Sequence, residues 1–234
     1  MKTIGMLAGM AWESTVTYYQ VINQTVNQMQ GGHHSARILM YSVDFEDMSE
    51  VMRTDNWDRA AEILSDVALT LKAGGADFLL LATNTMHIVA PQVQQVAGLP
   101  LLHIAEVTAD RLEQSGISTV GLLGTKFTME MDFYKDVLKR RGFEVLIPEQ
   151  EARTKVHNII NEELAFGNFK EESRRIYCDE IDRFEQLGAQ GVILGCTEIG
   201  LLIQQQHSSL PVFDTAQIHG EEAAKFAVAD CRHG

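Results

Sequence analysis

The 234-residue sequence predicts an α/β fold of two pseudo-symmetric domains, each a mostly parallel sheet flanked by helices. Three internal echoes predict it. The stretch from Gly75 to Met86 runs parallel to that from Gly188 to Ile199, with Thr83 aligned on Cys196 at an offset of 113 residues. The stretch from Ile4 to Gly9 parallels Val120 to Thr125 at an offset of 116, and Leu99 to Ala105 parallels Leu210 to Ala216 at 111. Three matches in one order at nearly one offset mark a duplicated domain. The period is too long for a solenoid of roughly 20–50-residue units.

The elements follow in order. Ile4 to Gly9 reads as a buried strand opening into a glycine turn, and Leu39 to Phe45 as a second strand. Trp57 to Ala73 reads as a helix, because Ala60, Ile63, Leu64, Val67, Ala68 and Leu71 share one face. Asp55 and Asn56 stand where a cap is needed. Phe78 to Ala82 is a short apolar run ending in a polar turn. In the second half, Val145 to Pro148 reads as a strand and Phe169 to Leu187 as a helix closed by Gly188 at C′. A last helix spans Ala216 to Val228 and is expected to pack back on the N-terminal half. Pro100 and Pro211 mark the ends of the matched units. The expected division is residues 1–99 plus 210–234 as one domain and 100–209 as the other.

The bulk numbers exclude several classes. The chain is 45% hydrophobic and 22% charged, enough for ordinary cores. No apolar run reaches the roughly 18 residues of a membrane span. The N-terminal residues have no signal-peptide pattern, so the expectation is a cytoplasmic protein. A net charge of −13 argues against nucleic acid or an anionic membrane as a partner. The cysteines, Cys178, Cys196 and Cys231, lack CxxC spacing, which argues against a disulfide framework or zinc ribbon. His33, His34, His157, His207, His219 and His233 show no metal-ligand spacing, and no metal is expected.

In parallel sheets, ligands bind beyond the carboxyl ends of the strands, which is where Thr83 and Cys196 fall. The sharpest local signal is Gly195-Cys196-Thr197-Glu198. A thiolate there can act as a base if its pKa falls from about 8.5, helped by backbone N–H groups and the next helix's dipole. The plain alternative is a buried cysteine acting as a small hydrophobe. Thr83-Asn84-Thr85-Met86-His87 offers donors for a carboxylate, although taken alone it reads as turn chemistry. Gly5-Met6-Leu7-Ala8-Gly9-Met10 lets a ligand approach backbone N–H groups, or is simply a strand-to-helix turn. Gly124-Thr125-Lys126-Phe127-Thr128 mirrors it with two hydroxyls. His103 falls opposite Asp214 at an offset of 111. The two either orient the catalytic groups or serve as a core histidine and a helix cap, and the plainer reading has the edge.

Taken together, these residues resemble the aspartate/glutamate racemase family. The resemblance rests on the stretches Gly9 to Thr15, Asn84 to His87, Gly195 to Glu198 and Pro211 to Thr215, and it covers essentially the whole chain. It implies two pseudo-symmetric α/β domains with the active site in the interdomain cleft, no cofactor, and a homodimer. Members of the family flank the substrate Cα with two cysteines. Cys196 matches the second, while Thr83 stands where the first is usual. That pairing resembles the branch preferring L-aspartate and L-glutamate, so the expected partner is an acidic amino acid. The resemblance assigns carboxylate binding to Asn84, Thr85 and Thr128, and to Lys170 as in some members; Met10, Thr197 and Glu198 are further candidates for substrate binding, with His103 and Asp214 as supporting residues. Lys170 reads equally as a surface helix residue, and the Met10 thioether as packing. Ala8 and Ala11 depart from the family's Gly and Ser. Other cysteine chemistry on the same scaffold (maleate isomerisation, malonate decarboxylation) and a catalytically weak binder of acidic amino acids are the alternatives.

Overall fold

The computed structural model describes residues 1–229, so Cys231 and His233 lie outside the described residues, as does the end of the expected 210–234 segment. The strands are β1 (Thr3–Ala8), β2 (Arg37–Ser42), β3 (Phe78–Leu81), β4 (Leu101–Leu102), β5 (Thr119–Gly124), β6 (Glu144–Leu146), β7 (Gly191–Gly195) and β8 (Val212–Asp214). The helices of the first half are α1 (Trp12–Gln30), α2 (Phe45–Thr54), α3 (Trp57–Ala73), α4 (Ala90–Ala97) and α5 (Ile104–Gln114). Those that follow are α6 (Lys126–Glu130), α7 (Asp132–Arg140), α8 (Gln150–Glu162), α9 (Glu171–Gln186), α10 (Ile199–Leu202) and α11 (Thr215–Val228).

The strands form two parallel four-stranded sheets, ordered β2-β1-β3-β4 and β6-β5-β7-β8. The duplication reaches the register. Gly5 pairs with Leu79 and Leu79 with Leu101, while Gly121 pairs with Val192 and Val192 with Val212. Those pairs are separated by the same 116, 113 and 111 residues that relate the sequence echoes. The central strands β3 and β7 are buried throughout, as expected of parallel strands covered on both faces.

The chain divides into two compact units, Met1–Ile104 with the described stretch from His219 onward, and Ala105–Ile218. The breaks read from sequence at 99/100 and 209/210 fall earlier. Each proline precedes the last strand of its own sheet, because β4 pairs with β3 and β8 with β7. The first core gathers Leu7, Leu64, Leu79, Leu81 and Val93, and the second Leu123, Val156, Tyr177, Phe184 and Leu194.

Several boundaries also move. The strand expected over 39–45 runs from Arg37 to Ser42, and Phe45 instead opens α2. Asp44 accounts for the difference: its carboxylate accepts the Glu46 N–H at 3.0 Å and caps that helix. Helix α3 has the bounds read from its apolar stripe, with Asn56 as its cap. Asp55 does not share that role. With φ of 54°, it is the left-handed residue closing α2. The strand expected over 145–148 is β6, and the helix expected from Phe169 starts at Glu171. Gly188 follows α9 with φ of 92°. From His219 onward, helix α11 belongs to the first unit, as expected of the last helix. The Lys2 N–H donates to the Ala227 carbonyl at 2.8 Å, and Phe226 meets Phe78 edge-on at 4.8 Å. Among the described residues, no helix is long and apolar enough to cross a membrane.

Candidate active site

In the second unit, β7 delivers Cys196 directly from its last residue, Gly195. Cys196, Thr197 and Glu198 are all buried, ahead of the four-residue α10. One carboxylate oxygen serves both neighbours: Glu198 Oε2 accepts from Cys196 Sγ at 2.9 Å and from Thr197 Oγ1 at 2.9 Å. This corrects the expectation of a thiol made acidic by its position. Burial pushes the Cys196 pKa well up, and the Glu198 carboxylate pushes it further. The Glu198 backbone N–H favours the thiolate but is outweighed. Cys196 is thus a thiol that donates to a carboxylate.

Thr128, fully buried on α6, sits against the ends of β5 and β7. A Cβ on Gly195 would lie 3.1 Å from its methyl, and one on Gly124 would lie 3.1 Å from its Cβ. The two glycines therefore make room for the threonine. Thr125 caps α6 by accepting the Thr128 N–H at 3.3 Å. Asp214 is a helix cap, the plainer of its two readings. Its Oδ1 accepts the Ala216 and Gln217 N–H groups at 2.9 and 3.2 Å, while Oδ2 packs tightly on Gly200. Its charge also adds to the upward push on the Cys196 thiol. Lys170 is exposed at the start of α9, its ammonium 3.0 Å from Glu163 Oε1.

In the first unit, β3 delivers Thr83, Asn84 and Thr85, all buried. The Thr83 N–H turns back to the Leu81 carbonyl at 2.8 Å, and a 3₁₀ turn follows over Thr85–Val89. Three residues outside the assigned site residues organise this turn: His87, His219 and Tyr18. His87 Nδ1 lies 2.7 Å from the Thr83 carbonyl and so donates to it, and His87 Nε2 accepts the Ile104 N–H at 3.2 Å. His219 Nε2 donates to the Leu102 carbonyl at 2.9 Å, and its Nδ1 accepts from Tyr18 Oη at 2.9 Å. These partners fix a neutral tautomer on each ring. Burial lowers the His87 pKa well below its usual value and takes His219 down to about 3. His103, half-buried, packs its ring edge-on to His87 at 4.6 Å. The Met10 side chain packs in the apolar core of the first unit. A sequence signal for His219 existed: it shares the buried face of α11 with Ala216, Ala223 and Ala227.

The model of the Asp/Glu/Hydantoin racemase family matches residues 7–223. A broad-specificity amino-acid racemase of Bacillus subtilis is 25% identical over 218 residues, covering 91% of this chain and 92% of its own. The crystal structure of a candidate Asp/Glu racemase from Yersinia pestis is 47% identical, covers 97% of this chain and 100% of its own, and superposes with a TM-score of 0.91. An aspartate racemase homologue from Pyrococcus horikoshii is 35% identical, with coverage of 97% and 99% and a TM-score of 0.83.

Proposed function

The chain belongs to the Asp/Glu/Hydantoin racemase family and is an amino-acid racemase, and from that premise we propose that it acts on L-aspartate or L-glutamate, with Cys196 as the base and Thr83 on the opposite face of the Cα. One observation carries the reading. The two sheets share one register, yet the residue leaving β7 is a thiol and its counterpart after β3 is a hydroxyl.

The chemistry starts from the Cys196–Glu198 pair. The α-ammonium of the substrate neutralises the Glu198 carboxylate, removing the charge that opposes thiolate formation. The thiol proton passes by way of Glu198 Oε2 to solvent. The Cys196 thiolate then takes the Cα proton, and the electron pair moves into the carboxylate, which gains enediolate character. Hydroxyls of Thr85, Thr128 and Thr197, with the Asn84 amide, hold that developing charge. Thr83, or a water that it holds, delivers a proton to the other face and regains one from solvent. Lys170 exchanges Glu163 for a substrate carboxylate, and the backbone at Met10 borders the site. His103 and Asp214 act through the turns that they brace. No step calls for a cofactor. The D-to-L direction is slower at each turnover because a hydroxyl yields its proton far less readily than a thiol. The equilibrium between enantiomers stays near unity.

We place the enzyme in the cytoplasm as a homodimer. Trp12, Val16 and Tyr19 support the second point: they form an exposed apolar stripe on α1 at i, i+4 and i+7. The functional reading is tested by Cα–H exchange in deuterated water, measured separately on each enantiomer of aspartate and glutamate. Faster washout from the L-form is expected. Equal, rapid washout from both would sink the one-sided mechanism, and none from either would sink the substrate assignment.

A further inference from the structure

We infer that His87 is a positioning residue for inversion: by pinning the Thr83 carbonyl it sets where the Thr83 side chain and the Asn84 N–H point. The inference rests on the functional reading above and names what orients its weaker, hydroxyl side.

The geometry runs through one peptide plane. The Thr83 carbonyl and the Asn84 N–H belong to the same rigid unit and point in opposite directions. Holding the oxygen at 2.7 Å from His87 Nδ1 therefore also fixes the Asn84 N–H. The other ring nitrogen takes the Ile104 N–H, tying the catalytic turn to the start of α5. A neutral imidazole has one donor and one acceptor, and both are used. Protonation would destroy the acceptor that takes the Ile104 N–H. The surroundings oppose that protonation: His87 is buried and faces His103 at 4.6 Å and His219 at 5.8 Å, and His219 is bonded in turn to Tyr18. The turn of the second unit is held differently among the described residues. There Glu198 Oε2 takes the two side-chain donors directly.

The test separates positioning from simple folding. With L-aspartate in deuterated water, Cα deuteration counts proton abstraction by Cys196, and conversion to the D-form counts delivery from the Thr83 face. The ratio of inversion to deuteration does not depend on how much enzyme is folded. His87→Ala should lower that ratio about tenfold, as expected for a displaced catalytic group. His87→Asn, which keeps a donor near the Nδ1 position, should restore part of it. An unchanged ratio in His87→Ala overturns the proposal. If neither variant folds, ¹⁵N NMR of the wild-type imidazole decides: Nδ1 protonated and Nε2 bare at neutral pH is expected. The opposite tautomer or an imidazolium overturns the proposal. A wild-type enzyme that deuterates neither L-aspartate nor L-glutamate would instead overturn the functional reading, with the tautomer still measurable.

Discussion

At the end of β3 the chain turns through Thr83, Asn84 and Thr85 and is braced by neutral imidazoles. At the end of β7 it turns through Cys196 and Thr197, and both donate to the Glu198 carboxylate. The backbone plan is the same, with strands in matched register leading to matched turns. The electrostatics are opposite. One turn is held by groups that burial keeps uncharged, and the other by a carboxylate that keeps its thiol protonated. Duplication thus preserved the strand register that carries the two turns while the groups around them diverged.

The largest effect should come from changing the two matched residues themselves. Cys196→Ala should abolish deuterium washout from the L-enantiomer, a loss of at least about 10²-fold for a general base. Thr83→Cys should raise washout from the D-enantiomer by on the order of 10²-fold, making the two sides alike. An active Cys196→Ala enzyme would break the comparison outright.

A smaller change tests the carboxylate alone. Glu198→Gln removes the negative charge beside the thiol, so the thiolate forms more readily. The rising limb of kcat/KM against pH for the L-substrate should then move to lower pH. A limb that stays put or moves up would show that Glu198 does not set the ionisation of Cys196.

The smallest effect concerns stability and belongs to the imidazole side. His87 and His219 stay neutral in the fold but take up a proton when the chain unfolds, near pH 6.5. Their contribution is complete above that value and declines as pH falls, for His219 until about pH 3. Each histidine should cost about 1.4 kcal/mol per pH unit in that window. Urea midpoints at pH 7 and pH 5 measure it. His219→Gln should flatten the slope, and an unchanged slope would remove His219 from the network's acid response.

Much of this was legible in the chain. The offsets of 116, 113 and 111 reappear as pairing register, because a parallel ladder repeats only if the strands and their turns repeat together. The stripe from Ala60 to Leu71 gave α3 its bounds. Phe45 misled, since its apolar character suits a strand, but the Asp44 cap starts a helix there. The prolines misled in a similar way. Pro100 and Pro211 look like boundaries, yet each leads into a strand that pairs within its own sheet.

The sequence by itself determined the duplicated α/β plan, the strands that carry Thr83 and Cys196, and the inequality of that pair. These are matters of spacing and side-chain type, which the chain states directly. Only the tertiary structure decided that Glu198 turns its carboxylate onto the thiol, and that His87 and His219 are neutral and tied to Thr83, Ile104, Leu102 and Tyr18. The physical reason is that ionisation depends on burial and on partners as distant in the chain as Tyr18 is from His219, 201 residues away. Spacing alone fixes neither.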